Sequence, residues 1–325
     1  LIMTSKKRVL LIDALNLFMR NYIVDPSLST NGQPIGGTKG FIKSLQSVCR
    51  TINPDLIFVA WDGGSQKRKS IDKNYKAGRK PVRLNRDIHN MTAGEQEDNK
   101  NWQQQRLIEY LNEMPIMQSY VENVEADDII ALVSQSQALS EYHKIILSSD
   151  KDFIQLCDDS TILYRPIQKE ILNKKRIIEQ YDIHPTNFAL ARAIAGDKSD
   201  NLPGIGGAGL ATVSKRFPFL SEEKSYTIQE LVEYAEGVDS KLKVFKNVVE
   251  KRDLVEKNYK MMQLYAPNIS AQSAQYIRGM LKDPKLMFNK TGVQTMMMID
   301  GFGAYDLADL FAQFRKMVVQ TKEGN

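Results

Sequence analysis

Three apolar runs, each leading to an aspartate, constrain this chain most strongly. Val9-Leu10-Leu11-Ile12 leads to Asp13, Leu56-Ile57-Phe58-Val59-Ala60-Trp61 leads to Asp62, and Lys144-Ile145-Ile146-Leu147-Ser148-Ser149 leads to Asp150. Continuous β-branched and aliphatic runs read as strands buried on both faces, as in a parallel sheet. Helical patterns over 40–50, 102–114 and 129–139 lie between them. Strands alternating with helices predict an α/β layered core. Sites in such cores lie beyond the carboxyl ends of the strands, so Asp13, Asp62 and Asp150 are expected along one edge.

A second acidic stretch, Val124-Glu125-Ala126-Asp127-Asp128, opens directly into the apolar helical run Ile129-Ile130-Ala131-Leu132-Val133. Acids are common as caps at a helix start, but the helix dipole favours them by only about 1 kcal/mol. That is too little to hold neighbouring carboxylates together, because like charges resist ionisation. A divalent cation would remove the conflict. Asp152 follows Asp150 at a spacing that lets both carboxylates leave one turn, and Asp197 and Asp200 form a further pair.

Between Asp62 and Trp102 apolar residues become sparse. Lys67, Arg68, Lys69, Lys73, Lys76, Arg79, Lys80, Arg83 and Arg86 accumulate, and then Glu95, Glu97 and Asp98 reverse the sign. A segment this polar buries little surface and is expected to be mobile when free. Placed after a strand-end aspartate, it suits a phosphate backbone, through salt-sensitive, sequence-independent contacts. Tyr75 adds a stacking surface for a splayed base. The net charge of +5 is a weaker sign of the same partner.

Past Tyr181 the α/β pattern stops. A helix is expected over 185–195, followed by Asp197 and Asp200 and by the glycine-rich Pro203-Gly204-Ile205-Gly206-Gly207-Ala208-Gly209, then a helix over 210–216. A glycine-rich hairpin opening a helix exposes backbone N–H groups that suit phosphate. It matches neither a P-loop nor a dinucleotide fingerprint, and a helix–hairpin–helix contact to the DNA backbone fits better. Helices are expected over 227–236, 240–257 and 305–319. In the last, Leu307, Leu310, Phe311, Phe314 and Val318 form a core-packing stripe. Met296-Met297-Met298 suits either adaptable packing or a binding surface.

Cys49 and Cys157 have no metal-ligand spacing, which suits a reducing cytosol rather than a disulfide scaffold. No stretch is long and apolar enough to span a membrane. No Ser-His-Asp or Cys-His set is evident, and His89, His143 and His184 sit away from the acids. Water is then the nucleophile, activated by metal. Carboxylates select Mg²⁺ or Mn²⁺ over zinc.

The order strand–Asp13, strand–Asp62, Tyr75-Lys76-x-x-Arg79, Glu125-Ala126-Asp127-Asp128, Asp150-Lys151-Asp152 and Gly196-Asp197-x-x-Asp200-Asn201-x-Pro203-Gly204 resembles the 5′-nuclease (flap endonuclease) family. That group includes the 5′→3′ exonuclease domain of DNA polymerase I and freestanding phage enzymes such as T4-type ribonuclease H. The resemblance runs from about Val9 to Phe217.

It implies a PIN-like α/β core over 5–180 carrying a basic helical arch at about 65–101. A helix-3-turn-helix domain over 181–265 and a helical C-terminal region over 266–325 would follow. It assigns Asp13, Asp62, Glu125, Asp127, Asp128, Asp150, Asp152, Asp197 and Asp200 to two or more Mg²⁺ ions, with Mn²⁺ as a substitute. Lys76 and Arg79 would serve the scissile phosphate, and Tyr75 would steer the terminal nucleotide. Arg68, Lys80, Arg83, Gly204, Gly206, Gly207, Gly209, Lys215 and Arg216 would hold DNA, with K⁺ at the hairpin. Polymerase-linked relatives carry a lysine near positions 210 and 211, where this chain has Leu210 and Ala211; Lys215 and Arg216 follow one turn later.

The expected activity is a metal-dependent 5′→3′ exonuclease and flap endonuclease that removes RNA primers and flaps during replication. The resemblance further implies a freestanding, monomeric, cytoplasmic enzyme in a phage-infected host, with a single-strand-binding protein or sliding clamp as partner. A non-catalytic DNA-junction binding protein and a PIN-type single-strand ribonuclease are the competing readings.

Overall fold

The computed structural model describes residues 6–79 and 91–320. Lys80 and Arg83, expected to contact DNA, lie outside the described residues.

Strands β1 (Lys7–Asp13), β2 (Leu56–Trp61), β3 (Met117–Tyr120), β4 (Tyr142–Leu147), β5 (Thr161–Arg165) and β6 (Glu170–Leu172) form one sheet in the order β3-β2-β1-β4-β5-β6. The first five run parallel, and β6 returns antiparallel along the edge. The apolar runs are β1, β2 and β4, at the centre of the sheet. The flanking β3, β5 and β6 are shorter and mixed in polarity, which explains why they carry no such signal. The chain moves outward from β1 to β3, then restarts on the other side of β1 at β4. This reversal makes the β1–β4 junction the topological switch point, where α/β sheets open a crevice.

The α-helices of the first half are α1 (Ala14–Val24), α2 (Gly36–Ile52), α3 (Gln66–Ile71), α4 (Ala93–Asn112), α5 (Ala126–Ser134), α6 (Lys174–Tyr181) and α7 (Phe188–Ala195). The second half adds α8 (Leu210–Arg216), α9 (Ile228–Gly237), α10 (Lys243–Glu250), α11 (Arg252–Met262), α12 (Ala271–Lys282), α13 (Lys290–Ile299) and α14 (Leu307–Gln320).

Alternation along the strands splits the core in two. Leu10, Ile12, Ile57, Val59 and Ile145 pack with Phe18, Phe41, Tyr110 and Phe314 on one face. Val9, Leu11, Phe58, Ile146 and Leu163 pack with Ile129, Ile130, Phe188 and Ile277 on the other. Residues beyond 266 therefore contribute to both layers: α12 joins one, and α13 and α14 join the other. Asp309 on α14 accepts hydrogen bonds from Gln46 and Arg50 on α2, and Lys316 pairs with Asp55 at 2.8 Å.

Some expectations need correction. The pattern over 240–257 is two helices, α10 and α11, separated at Lys251. The 185–195 pattern begins as a 3₁₀ turn at Pro185–Asn187 before α7. Part of the polar segment expected to be mobile is ordered: α3 docks through Arg68, which is 4% exposed. Helix α4 begins at Ala93, ahead of the apolar pattern, because a Thr92–Glu95 capping box starts it without help from packing.

Candidate metal centre and nucleic-acid interface

Asp13, Glu125, Asp127 and Asp150 stand at helix starts, where backbone N–H groups are free and favour negative charge. Asp13 ends β1 and caps α1, its Oδ1 accepting from the Asn16 N–H at 3.2 Å. Ser148 donates to its other oxygen at 3.0 Å. Asp62 directly follows β2 and accepts from the Gly64 N–H at 2.8 Å. Glu125 is the N-cap residue of α5, and Asp127 and Asp128 occupy its first turn. Asp150 caps the 3₁₀ turn Lys151–Leu156, accepting from the Asp152 N–H at 2.8 Å. Asp197 and Asp200 lie on a hairpin closed by the paired backbones of Asp197 and Leu202.

These positions gather two connected groups of carboxylates. Asp13, Asp127 and Asp150 repel one another, and Asp62 adds to the field at Asp13. Oxygens of Asp152, Asp197 and Asp200 all lie within 4.8 Å of one another, a geometry able to hold a cation. Asp150 feels Asp200 and Asp197 as well, so it links the groups. Burial raises the Asp13 carboxyl to about 7, and Asp150 and Asp62 add to the rise. Burial also raises Asp152 to about 7, with Asp150 pushing the same way against Arg192. Burial and then Asp150 hold Asp127 well above the usual carboxylate range. Acids crowded this way resist ionisation together unless cations are bound, and an all-carboxylate set suits a hard divalent ion.

The basic segment meets this cluster. Lys76 pairs with Glu125, and Arg79 pairs with Asp200. The Lys76 N–H donates to the Asp200 carbonyl at 3.0 Å, and Asn201 Nδ2 donates to the Asn74 carbonyl at 3.0 Å. Lys76 holds a left-handed φ of 57° to make this turn, a conformation uncommon outside glycine.

Three expected site residues sit otherwise than sequence suggested. Tyr75 is buried among Leu202, Met261 and Met262, with its hydroxyl near Glu125 and Asp200, so its ring offers no stacking surface here. Arg68, expected on a phosphate, instead contacts Glu125, Asp128 and the Met261 carbonyl. Asp128, expected among the metal ligands, is 1% exposed and holds Arg68 instead.

Sequence reasoning missed Arg192. It donates to Asp152 at 2.8 Å and to Asp197 at 2.5 Å, so it offsets charge in the second group. The signal was present: a single cation inside the otherwise apolar helix Phe-Ala-Leu-Ala-Arg-Ala-Ile-Ala. Asn16 was also missed; its Oδ1 accepts from the Ser149 N–H at 3.0 Å and ties α1 to the Asp150 turn.

The glycine hairpin is built for close backbone approach. A side chain on Gly204 would meet the Ala195 carbonyl oxygen at 2.1 Å, while Gly206, Gly207 and Gly209 face open space, Gly207 at φ +76°. Lys215 is exposed and Arg216 half-buried at the far end of α8. Among the described residues, no helix is long and apolar enough to cross a membrane.

Comparison with known proteins shows the family and the fold. Residues 8–182 match the family described as "5′-3′ exonuclease, N-terminal resolvase-like domain". The 5′-3′ exonuclease of Buchnera aphidicola is 29% identical over 213 residues, 64% of this chain and 69% of that protein. The thermostable DNA polymerase I of Thermus aquaticus is 31% identical over 212 residues, 65% of this chain but only 24% of the polymerase. The T5 D15 protein co-crystallised with metal ions superimposes with a TM-score of 0.66 at 16% identity, covering 90% of this chain and 100% of that one, and so shares the fold. The chain, an α/β PIN-like core with added helices, belongs to the 5′-3′ exonuclease family and is a 5′-nuclease.

Proposed function

We propose that this 5′-nuclease hydrolyses phosphodiester bonds at 5′ ends, flaps or RNA primers of duplex DNA during replication, with Mg²⁺ as its natural ion and Mn²⁺ as a substitute. One observation carries the reading: acids from five separate stretches of chain converge where Lys76 and Arg79 also lie. Pure binding gains nothing from carboxylates concentrated beside a phosphate, which disfavours a non-catalytic junction protein.

Asp13, Asp62, Glu125, Asp127 and Asp150 would hold one ion, and Asp152, Asp197 and Asp200 another. Bound there, the ions would supply Lewis acidity that activates water and offsets phosphoryl charge. The protein's own part is positioning. Lys76 and Arg79 present fixed positive charge where the phosphoryl oxygens gain negative charge. Both now pair with acids of the cluster, so they exchange partners when a phosphate arrives. Arg192 holds Asp152 and Asp197 at a fixed separation. The hairpin over 204–209 and the helical unit over 181–265 would grip the duplex backbone, with K⁺ between main-chain carbonyls and phosphate.

The test uses end-labelled nicked, 5′-flapped and RNA-primed duplexes, with and without Mg²⁺. Mg²⁺-dependent products released from the 5′ side support the reading; 3′ products or metal-independent cleavage overturn it.

A further inference from the structure

The chain carries a buried guanidinium that the phosphodiester chemistry does not use. Arg68 lies on α3, directly ahead of Lys76 and Arg79 in sequence. Its Nη1 donates to Glu125 and, at 2.5 Å, to Asp128 Oδ2; Nη2 reaches Asp128 Oδ1 at 3.2 Å; Nε donates to the Met261 carbonyl at 2.8 Å. Asp128 also accepts from the Asn268 N–H at 3.0 Å. Arg68 therefore ties the base of the basic segment to α5 and to the end of α11, and its partner Asp128 extends the tie to the chain beyond.

Other contacts hold the same junction. Lys257 on α11 pairs with Asp72 at 2.7 Å. Tyr75 packs on Met261 and Met262. Glu125 serves both Arg68 and Lys76, so a shift of Arg68 is passed to Lys76 through a shared carboxylate. Buried ion pairs of this kind give little net stability, because desolvation offsets their attraction. What they do fix is position, and Arg fits this role because its planar fork meets several acceptors at once, as an ammonium cannot.

Helix geometry explains the division of the acids. Adjacent residues on a helix point about 100° apart. Asp127 thus turns toward Asp13 and Asp150, while Asp128 turns toward Arg68.

We propose that Arg68 is a positioning residue: by gripping Asp128, Glu125 and the Met261 carbonyl, it sets Lys76 and Arg79 against the metal cluster, and Asp128 is its counter-ion rather than a metal ligand. This rests on the nuclease reading above, and wild-type cleavage of a 5′-flap serves as the control for that reading.

The experiment compares wild type, Asp128→Asn, Arg68→Gln, the Asp128→Asn/Arg68→Gln double variant and Arg68→Lys. Mn²⁺ stoichiometry and affinity are read by calorimetry, duplex affinity at two salt concentrations, and cleavage rate by single turnover. Asp128→Asn should keep the wild-type number of Mn²⁺ ions. Its cleavage rate should fall by roughly 10- to 100-fold, the scale of a catalytic group displaced by about 1 Å. Arg68→Gln should lose rate to a similar extent with little change in duplex affinity or its salt dependence. The double variant should be no worse than either single one, because the two act as a unit. Arg68→Lys preserves charge and solubility should Arg68→Gln fail to fold, and it should recover only part of the rate. Loss of a bound Mn²⁺ in Asp128→Asn would make Asp128 a ligand and overturn the proposal. So would a fall in duplex affinity matching the fall in rate for Arg68→Gln, which would make Arg68 a phosphate contact, or full activity in Arg68→Lys.

Discussion

Ser148 donates from its hydroxyl to Asp13 at 3.0 Å, joining two neighbouring strand ends that are 135 positions apart in sequence. The same oxygen accepts from the Asp150 N–H at 3.1 Å. A single hydroxyl thus sets the spacing between two acids at the switch point of the sheet. The two strands are neighbours only because the chain reverses its order between β1 and β4, so the topology itself brings these carboxylates together.

The raised carboxyls make stability depend on both pH and metal. Asp13 and Asp152 are pushed up to about 7 from the ordinary value of 3.8, chiefly by burial. Between those pH values the folded protein binds more protons than the unfolded chain, so their contribution to stability falls as pH rises from about 4 and levels off above about 7. Without metal, acidification from pH 7.5 to pH 5.5 should therefore raise the contribution of these groups to Tm. Mg²⁺ competes with those protons and should therefore stabilise more at pH 7.5 than at pH 5.5; a hundredfold excess over the Kd at a given pH corresponds to about 2.7 kcal/mol. Thermal melts at the two pH values, with Mg²⁺ and with chelator, check this. An equal Mg²⁺ effect at both would place the ions elsewhere.

Asp127→Asn should abolish cleavage while duplex affinity stays the same or rises. Asp127 sits among Asp150, Asp13 and Glu125, so its loss removes a charge the ions need while relieving repulsion toward a phosphate. A loss of several kcal/mol of transition-state stabilisation corresponds to at least about a hundredfold in rate. A flap substrate with saturating enzyme separates rate from binding. Near-normal cleavage in Mg²⁺ would remove Asp127 from the metal assignment.

Much of this was legible in the sequence because it depends on local order. Buried strands carry continuous apolar runs, and the acids follow those runs or start the next helix. The flanking strands were not legible: Met-Gln-Ser-Tyr and Glu-Ile-Leu are too short and mixed for either period. Partners of the functional residues were illegible for another reason. The pairing of Arg68 with Asp128 spans 60 positions, and that of Arg192 with Asp152 spans 40. Nothing in local pattern distinguishes a cation bound for a phosphate from one buried against an acid. Tyr75 misled for the same reason, since its burial depends on Met261 and Met262 from a distant helix.

Lys76→Ala should slow cleavage far more than it weakens binding. Its ammonium lies against Glu125 at the edge of the cluster and is half-buried. Removing one preorganised charge that faces developing negative charge costs about 10²- to 10³-fold in rate. A phosphate contact made equally in ground and transition states would instead change affinity and rate together. Single-turnover rates and equilibrium titration on one flap substrate distinguish the two, and equal losses would move Lys76 to simple binding.

Lys215→Gln with Arg216→Gln should weaken duplex binding without changing the single-turnover rate at saturation. Both residues lie in the last turn of α8, one turn beyond Leu210 and Ala211. If they contact backbone phosphates, each contact adds about 0.9 to the slope of log affinity against log salt. The pair of substitutions should therefore reduce that slope by about 1 to 2 and weaken all duplex sequences alike. Fluorescence anisotropy across a salt series reads the slope directly. An unchanged slope would leave the exposed backbone of Gly206, Gly207 and Gly209 as the duplex contact of this hairpin, and would mean that Leu210 and Ala211 mark a lost charge rather than one moved along the helix.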